Sequence, residues 1–151
     1  MKHSKDHYIP HVGKVPKGVD ELLANRRATQ WVVDAFGARG ASVLLAGDSG
    51  AGKSSFLYRM ADAISSGELF MGQLRTIQGK VLIVQADESQ NNAADKLQLM
   101  GINAGFDFLF GEDGWNTIDV GRLSNAVKQG GYRALFLDSV TTLLTERGYS
   151  M

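Results

Sequence analysis

Gly47-Asp48-Ser49-Gly50-Ala51-Gly52-Lys53-Ser54 lies between a short apolar run, Ala41-Ser42-Val43-Leu44-Leu45-Ala46, and a helically spaced segment, Ser54 to Ile64. These eight residues satisfy G-x-x-x-x-G-K-[ST] at every defined position, in the strand–loop–helix setting the pattern requires. Glycine lets such a loop curl into a concave nest whose N–H groups point at phosphate oxygens. A side chain at Gly47 or Gly52 would obstruct that approach. A helix opening near Lys53 adds the positive end of its dipole. Lys53 reaches the β- and γ-phosphates as a point charge. The Ser54 hydroxyl is a hard oxygen ligand for Mg²⁺, and Ser55 continues the phosphate-side turn. The stretch is the expected nucleotide-binding loop, with ATP and Mg²⁺ as ligand and cofactor. A glycine-rich turn with no ligand would not need all of these residues together.

Outward from the loop the period alternates. The helical face of Phe56, Leu57, Met60, Ala61 and Ile64 stops at Ser65-Ser66-Gly67. Val81 to Ala86 reads as a strand, Asn91 to Met100 as a helix ending at Gly101, and Phe106 to Phe110 as a strand. Val120 to Lys128 reads as a helix ending at Gly130-Gly131, and Arg133 to Leu137 as a strand. Strands alternating with helices at this spacing predict βαβ units and a mostly parallel sheet covered on both faces, a three-layer α/β/α fold. Upstream, Val19 to about Phe36 has helical spacing, with Gly37 and Gly40 to end it. Residues 1–19 are polar, hold both prolines and lack periodicity, so they read as a basic flexible tail or linker. His3, His7 and His11 stand among both prolines with Asp6 as the one acid in residues 1–19, and the tail reading covers them without a metal.

Two strand ends carry acids. Arg133-Ala134-Leu135-Phe136-Leu137-Asp138 is an apolar strand ending in a carboxylate, at the sheet edge where α/β ligands bind. Mg²⁺ at a phosphate site keeps several waters and takes one or two carboxylates, so Asp138 is the candidate metal-side acid beside Ser54. The strand from Val81 ends in Asp87-Glu88-Ser89. A carboxylate there is placed to orient and deprotonate an attacking water. The same residues also suit a helix N-cap. Glu88 has the longer reach, and both acids remain candidates.

Composition bounds the rest. The 151 residues suffice for one domain, and 44% hydrophobic with 21% charged residues excludes wholesale disorder. Sixteen basic residues balance sixteen acidic ones, which excludes a chain-wide basic surface for nucleic acid but not a local patch. The absence of cysteine excludes disulfides and thiolate-ligated zinc. The start has no apolar signal core, and no apolar run approaches the ~18–20 residues of a membrane span, so a cytoplasmic chain is expected. Eighteen glycines against two prolines mark a chain with many tight turns.

The Walker A loop, the acid at the end of the next central strand and a Walker B Asp138, in that order, resemble the RecA-like ATPases. Gly67-Glu68-Leu69-Phe70-Met71-Gly72 followed by Gly79-Lys80-Val81-Leu82-Ile83-Val84 is similar to the plasmid RepA, DnaB and KaiC branch, and so is Asp138-Ser139-Val140-Thr141-Thr142-Leu143-Leu144. The resemblance spans roughly residues 28 to 144. It implies phosphate binding by Lys53, metal binding by Ser54 and Asp138, and a catalytic acid at the strand end. The family places Glu where Asp87 stands here, with Glu88 following; Asp87 has the aligned place, and Glu88, with the longer reach, is the preferred base of the two. Lys17-Gly18-Val19-Asp20-Glu21-Leu22-Leu23 is similar to the end of some primase-type TOPRIM modules, although an ordinary helix start reads it as well.

Family members continue past Walker B with further strands, DNA-binding loops and groups that reach a neighbour's ATP. Residues 20–151 are therefore expected to be a partial domain with slow turnover of its own, and an early sheet edge is a pairing hazard. The implied function is an ATPase of DNA replication, a helicase or primase-associated motor, or of plasmid maintenance. The implied partners are further copies in a hexamer and single-stranded DNA, with no membrane. The alternatives are a KaiC-like regulatory ATPase acting on proteins and a nucleotide-binding module without turnover.

Overall fold

The computed structural model describes residues 15–117 and 119–145. The histidines of the expected tail lie outside the described residues. Helix α1 spans Val19–Ala24, and a two-stranded antiparallel ribbon follows, β1 Trp31–Val33 and β2 Gly37–Ala38. Helix α2 is Lys53–Ser66, strand β3 Val81–Gln85, helix α3 Gln90–Leu99 and strand β4 Asp107–Phe110. Helix α4 spans Val120–Gly130, strand β5 Ala134–Asp138 and helix α5 Val140–Thr145.

The sheet order is β4-β3-β5, and both pairings are parallel. This is the mixed α/β class with a parallel sheet that the alternating periods predict. All five residues of β3 are buried, as a central strand covered on both faces requires. The one-residue alternation sends Val81, Ile83 and Gln85 to one face and Leu82 and Val84 to the other. On the first face Val81 and Ile83 join Met60, Ala61 and Ile64 of α2 in the main core. On the second face Val84 borders Leu123 of α4, Leu137 of β5 and Leu143 of α5. Gly67 ends α2 and Gly131 ends α4, where the sequence places both stops.

Two expected elements differ. The helix expected over 19–36 forms only as α1, and Trp31–Val33 is strand. Long-range pairing overrides the helical spacing there: Asp34 N–H donates to Arg75 (2.9 Å), Ile77 N–H donates to Val32 (2.9 Å), and Val33 bridges Thr76. Val33, 2% exposed, is thereby seated in the core. The strand expected over Ala41–Ala46 is not formed. A strand exists through its partners, and this segment pairs with none of the described strands. Val43 and Leu44 stand 54% and 81% exposed as a result.

Candidate functional site

The loop 47–54 closes at the N-terminus of α2. Gly52 is the N-cap residue, with φ +84°, and Gly50 has φ +78°. Both angles lie in the left-handed region that side chains with a Cβ rarely adopt, and nothing stands within 4 Å of where a Cβ would be. At Gly47 a Cβ would make only ordinary contact with Ala51, at 3.7 Å. The backbone requirement thus falls on Gly50 and Gly52 rather than Gly47. The Lys53 ammonium folds across the loop and donates to the carbonyls of Gly47 (2.7 Å) and Asp48 (2.6 Å). An ammonium has three donors, so one stays available for a ligand at the loop. Ser54, half-buried, and Ser55 sit in the first turn of α2.

Asp138 ends β5 in register with Gln85 at the end of β3. The carboxyl ends of these two strands lie side by side, the edge at which open parallel sheets hold ligands. Asp138 is 4% exposed. Its Oδ2 accepts from Gln85 Nε2 at 2.9 Å, and no Lys, Arg or His among the described residues pairs with it. A buried carboxylate with a neutral donor and no counter-charge is costly alone and suits a cation. Mg²⁺ takes few carboxylates and keeps its waters, so a single buried carboxylate such as Asp138 is a donor of the kind it accepts, as is a hydroxyl such as that of Ser54 at the head of α2.

The two acids after β3 have different surroundings. Glu88 is held on both oxygens. Tyr58 Oη and Gln85 Nε2 donate to Oε1, and the Lys96 ammonium pairs with Oε2. Its side chain is only 10% exposed. Asp87 is exposed, and the Thr142 hydroxyl donates to its Oδ1. The helix-cap role weighed for this segment belongs to Ser89, whose hydroxyl accepts from Asn92 N–H (3.2 Å) at the start of α3.

Tyr58, Gln85, Lys96 and Thr142 were not singled out from the sequence. Tyr58 follows Ser54 by one helical turn, a spacing that shares a face. Gln85 is the one polar residue in an otherwise apolar strand, and that was the available signal. Tyr58 is fully buried, and its hydroxyl is pushed far above its ordinary pKa, first by burial and then by its bond to Glu88.

At the opposite, N-terminal edge of the sheet, Trp31, Arg39, Arg75 and Arg133 border an open groove of about 530 Å³. This is the local basic patch that a neutral composition leaves open. Two of its guanidiniums already have partners: Arg75 pairs with Asp34 (2.9 Å) and Arg39 donates to Gln30 (3.2 Å).

The AAA domain family matches residues 11–148, nearly the whole chain. The chain belongs to the AAA domain family. No curated protein and no solved structure matches it. As an AAA domain it is a P-loop ATPase of mixed α/β architecture, and the match contains the loop, both acids of β3's turn and Asp138. None of the described helices of this AAA domain is long and apolar enough to cross a membrane.

Proposed function

We propose that this AAA domain binds Mg²⁺·ATP at the Gly47–Ser55 loop and hydrolyses it, with Asp87 as the acid that orients and deprotonates water. The observation that carries the reading is the pairing of a left-handed glycine loop at a helix N-terminus with a buried, uncompensated Asp138 at the end of β5. Backbone N–H groups of the loop and the α2 dipole take the phosphates, and the Lys53 ammonium neutralises charge between β- and γ-phosphate. Ser54 and Asp138 hold the metal. When bound, Mg²⁺ supplies charge neutralisation at the β- and γ-oxygens. Asp87 rather than Glu88 is the base because a general base needs a lone pair that water can reach, and Asp87 is exposed where Glu88 is largely buried. Glu88 has both oxygens engaged, whereas Asp87 Oδ2 has no partner among the described residues.

The finer reading is a RecA-like motor acting on DNA in replication or plasmid maintenance, in a hexameric assembly. It is supported by the likeness of 67–84 and 138–144 to the RepA, DnaB and KaiC branch. The test measures nucleotide binding by the chain and by Lys53→Ala, and ATP hydrolysis with and without single-stranded DNA by the longest gene product that contains it. Expected are loss of nucleotide binding in Lys53→Ala and faster turnover on DNA. Unchanged binding in Lys53→Ala removes the loop assignment. Turnover indifferent to DNA favours the KaiC-like regulatory reading, and binding without turnover favours the non-hydrolysing one.

A further inference from the structure

We propose that Tyr58 and Gln85 are positioning residues for the metal side of this site, fixing the helix that carries Ser54 against the strand that carries Asp138. The proposal rests on the reading of Ser54 and Asp138 as metal ligands given above.

Ser54 and Tyr58 are four residues apart on α2, so they share a face and lie about 6 Å apart along the axis. The Tyr58 ring is locked edge-on against Phe108 of β4, with centroids 5.4 Å apart and planes at 90°. Its hydroxyl accepts from Gln85 Nε2 (3.0 Å) and donates to Glu88. Gln85 Nε2 also donates to Asp138 Oδ2 (2.9 Å). One amide therefore joins the loop helix to the end of β5.

The orientation of that amide follows from its other half. Gln85 Oε1 accepts from the backbone N–H of Asp87 (2.9 Å) and Glu88 (3.3 Å). A flipped amide would lose both bonds and turn its oxygen toward the carboxylates of Asp138 and Glu88. Gln85 is wholly buried in a strand that otherwise reads Val-Leu-Ile-Val. A buried amide costs free energy unless it is satisfied, and every buried side-chain polar atom among the described residues is. An apolar residue would fill the same space, so packing does not explain the glutamine. Its distinct contribution is a neutral donor that aims Asp138 and leaves the carboxylate charge for a cation.

The test uses the full chain and a fluorescent ATP analogue, titrated with Mg²⁺ and in EDTA. Gln85→Met keeps the volume and drops the amide; Tyr58→Phe keeps the ring and drops the hydroxyl. The expected result is EDTA affinity within about twofold of wild type, with about tenfold or more of the Mg²⁺-dependent gain lost, as for other outer-shell partners of metal ligands. Added to Asp138→Asn, Gln85→Met should then cost nothing further. Equal losses in both media, or an undiminished Mg²⁺ gain, overturn the proposal. If circular dichroism shows Gln85→Met unfolded, Tyr58→Phe decides by the same criteria. A wild-type chain with no Mg²⁺-dependent gain, or Ser54→Ala that keeps the full gain, overturns the metal-side reading itself and the proposal with it.

Discussion

Asp87 and Glu88 are neighbours of the same charge, and burial separates them. Glu88 is wrapped by Tyr58, Gln85 and Lys96, while Asp87 meets solvent and the Thr142 hydroxyl. Asp87→Asn is expected to lower the hydrolysis rate by about 10²–10⁴-fold, the range for a lost general base, with nucleotide affinity nearly kept. Glu88→Gln retains an acceptor for Tyr58 and should lose far less. A larger loss in Glu88→Gln than in Asp87→Asn reverses the assignment. Reach alone favoured Glu88 in the sequence; which lone pairs are occupied depends on Tyr58 and Lys96, on two other elements.

Tyr132 gives a pH prediction at the same scale. Its hydroxyl donates to Asp107 Oδ2 at 2.6 Å, and that bond, with some burial, pushes its pKa up to about 12. The folded state holds this proton more tightly than the unfolded state, whose tyrosine titrates near 10. The contribution to stability is complete below pH ~10 and is lost as pH rises toward ~12. Absorbance titration of tyrosinate should show Tyr132 ionising late, and Asp107→Ala should bring that ionisation back toward 10. A late-titrating Tyr132 that persists in Asp107→Ala would remove the hydrogen bond as its cause.

Among the elements, β3 bears most on stability. It is buried along its whole length, between β4 and β5 and between the two helical layers. Ile83 is fully buried beneath α2. Ile83→Ala should destabilise the fold by about 2–5 kcal/mol, read from the urea midpoint at unchanged m. A loss well under 1 kcal/mol would show that β3 is not the central packed strand. The strands β3, β4 and β5 and the helices α2, α3 and α4 were legible because each has a clear period, and because Ser89 or a glycine marks a boundary of each helix. The ribbon β1–β2 was not. Trp31, Val32, Ala35 and Phe36 have helical spacing, and the pairing with β2 and the backbone bonds to Arg75 and Ile77 make Trp31–Val33 extended instead. Ala41–Ala46 failed in the opposite sense. Its composition suits a buried strand, yet no described strand pairs with it, and composition alone satisfies no backbone N–H.

Across the whole molecule, a balanced composition conceals an uneven charge distribution. The C-terminal edge of the sheet gathers Asp87, Glu88 and Asp138, with the Lys96 ammonium of α3 paired to Glu88. The opposite edge gathers Arg39, Arg75 and Arg133 round a groove. Neither edge is visible in the net charge. The loop motif was legible, because its glycines, Lys53 and Ser54 are contiguous and their spacing is local; which of its glycines have left-handed backbone, Gly50 and Gly52, was not. Fold class was legible too, since alternation of two periods admits few layered arrangements. The partners of those residues were decided only by tertiary structure. Gln85 meets Tyr58 across 27 residues and Asp138 across 53, and these contacts exist only once β3 has paired with β5 and α2 has packed on their shared face. Local spacing determines which chemistry a segment can carry. Which acid keeps an exposed oxygen depends on burial and occupied hydrogen bonds, and these arise only when distant segments meet.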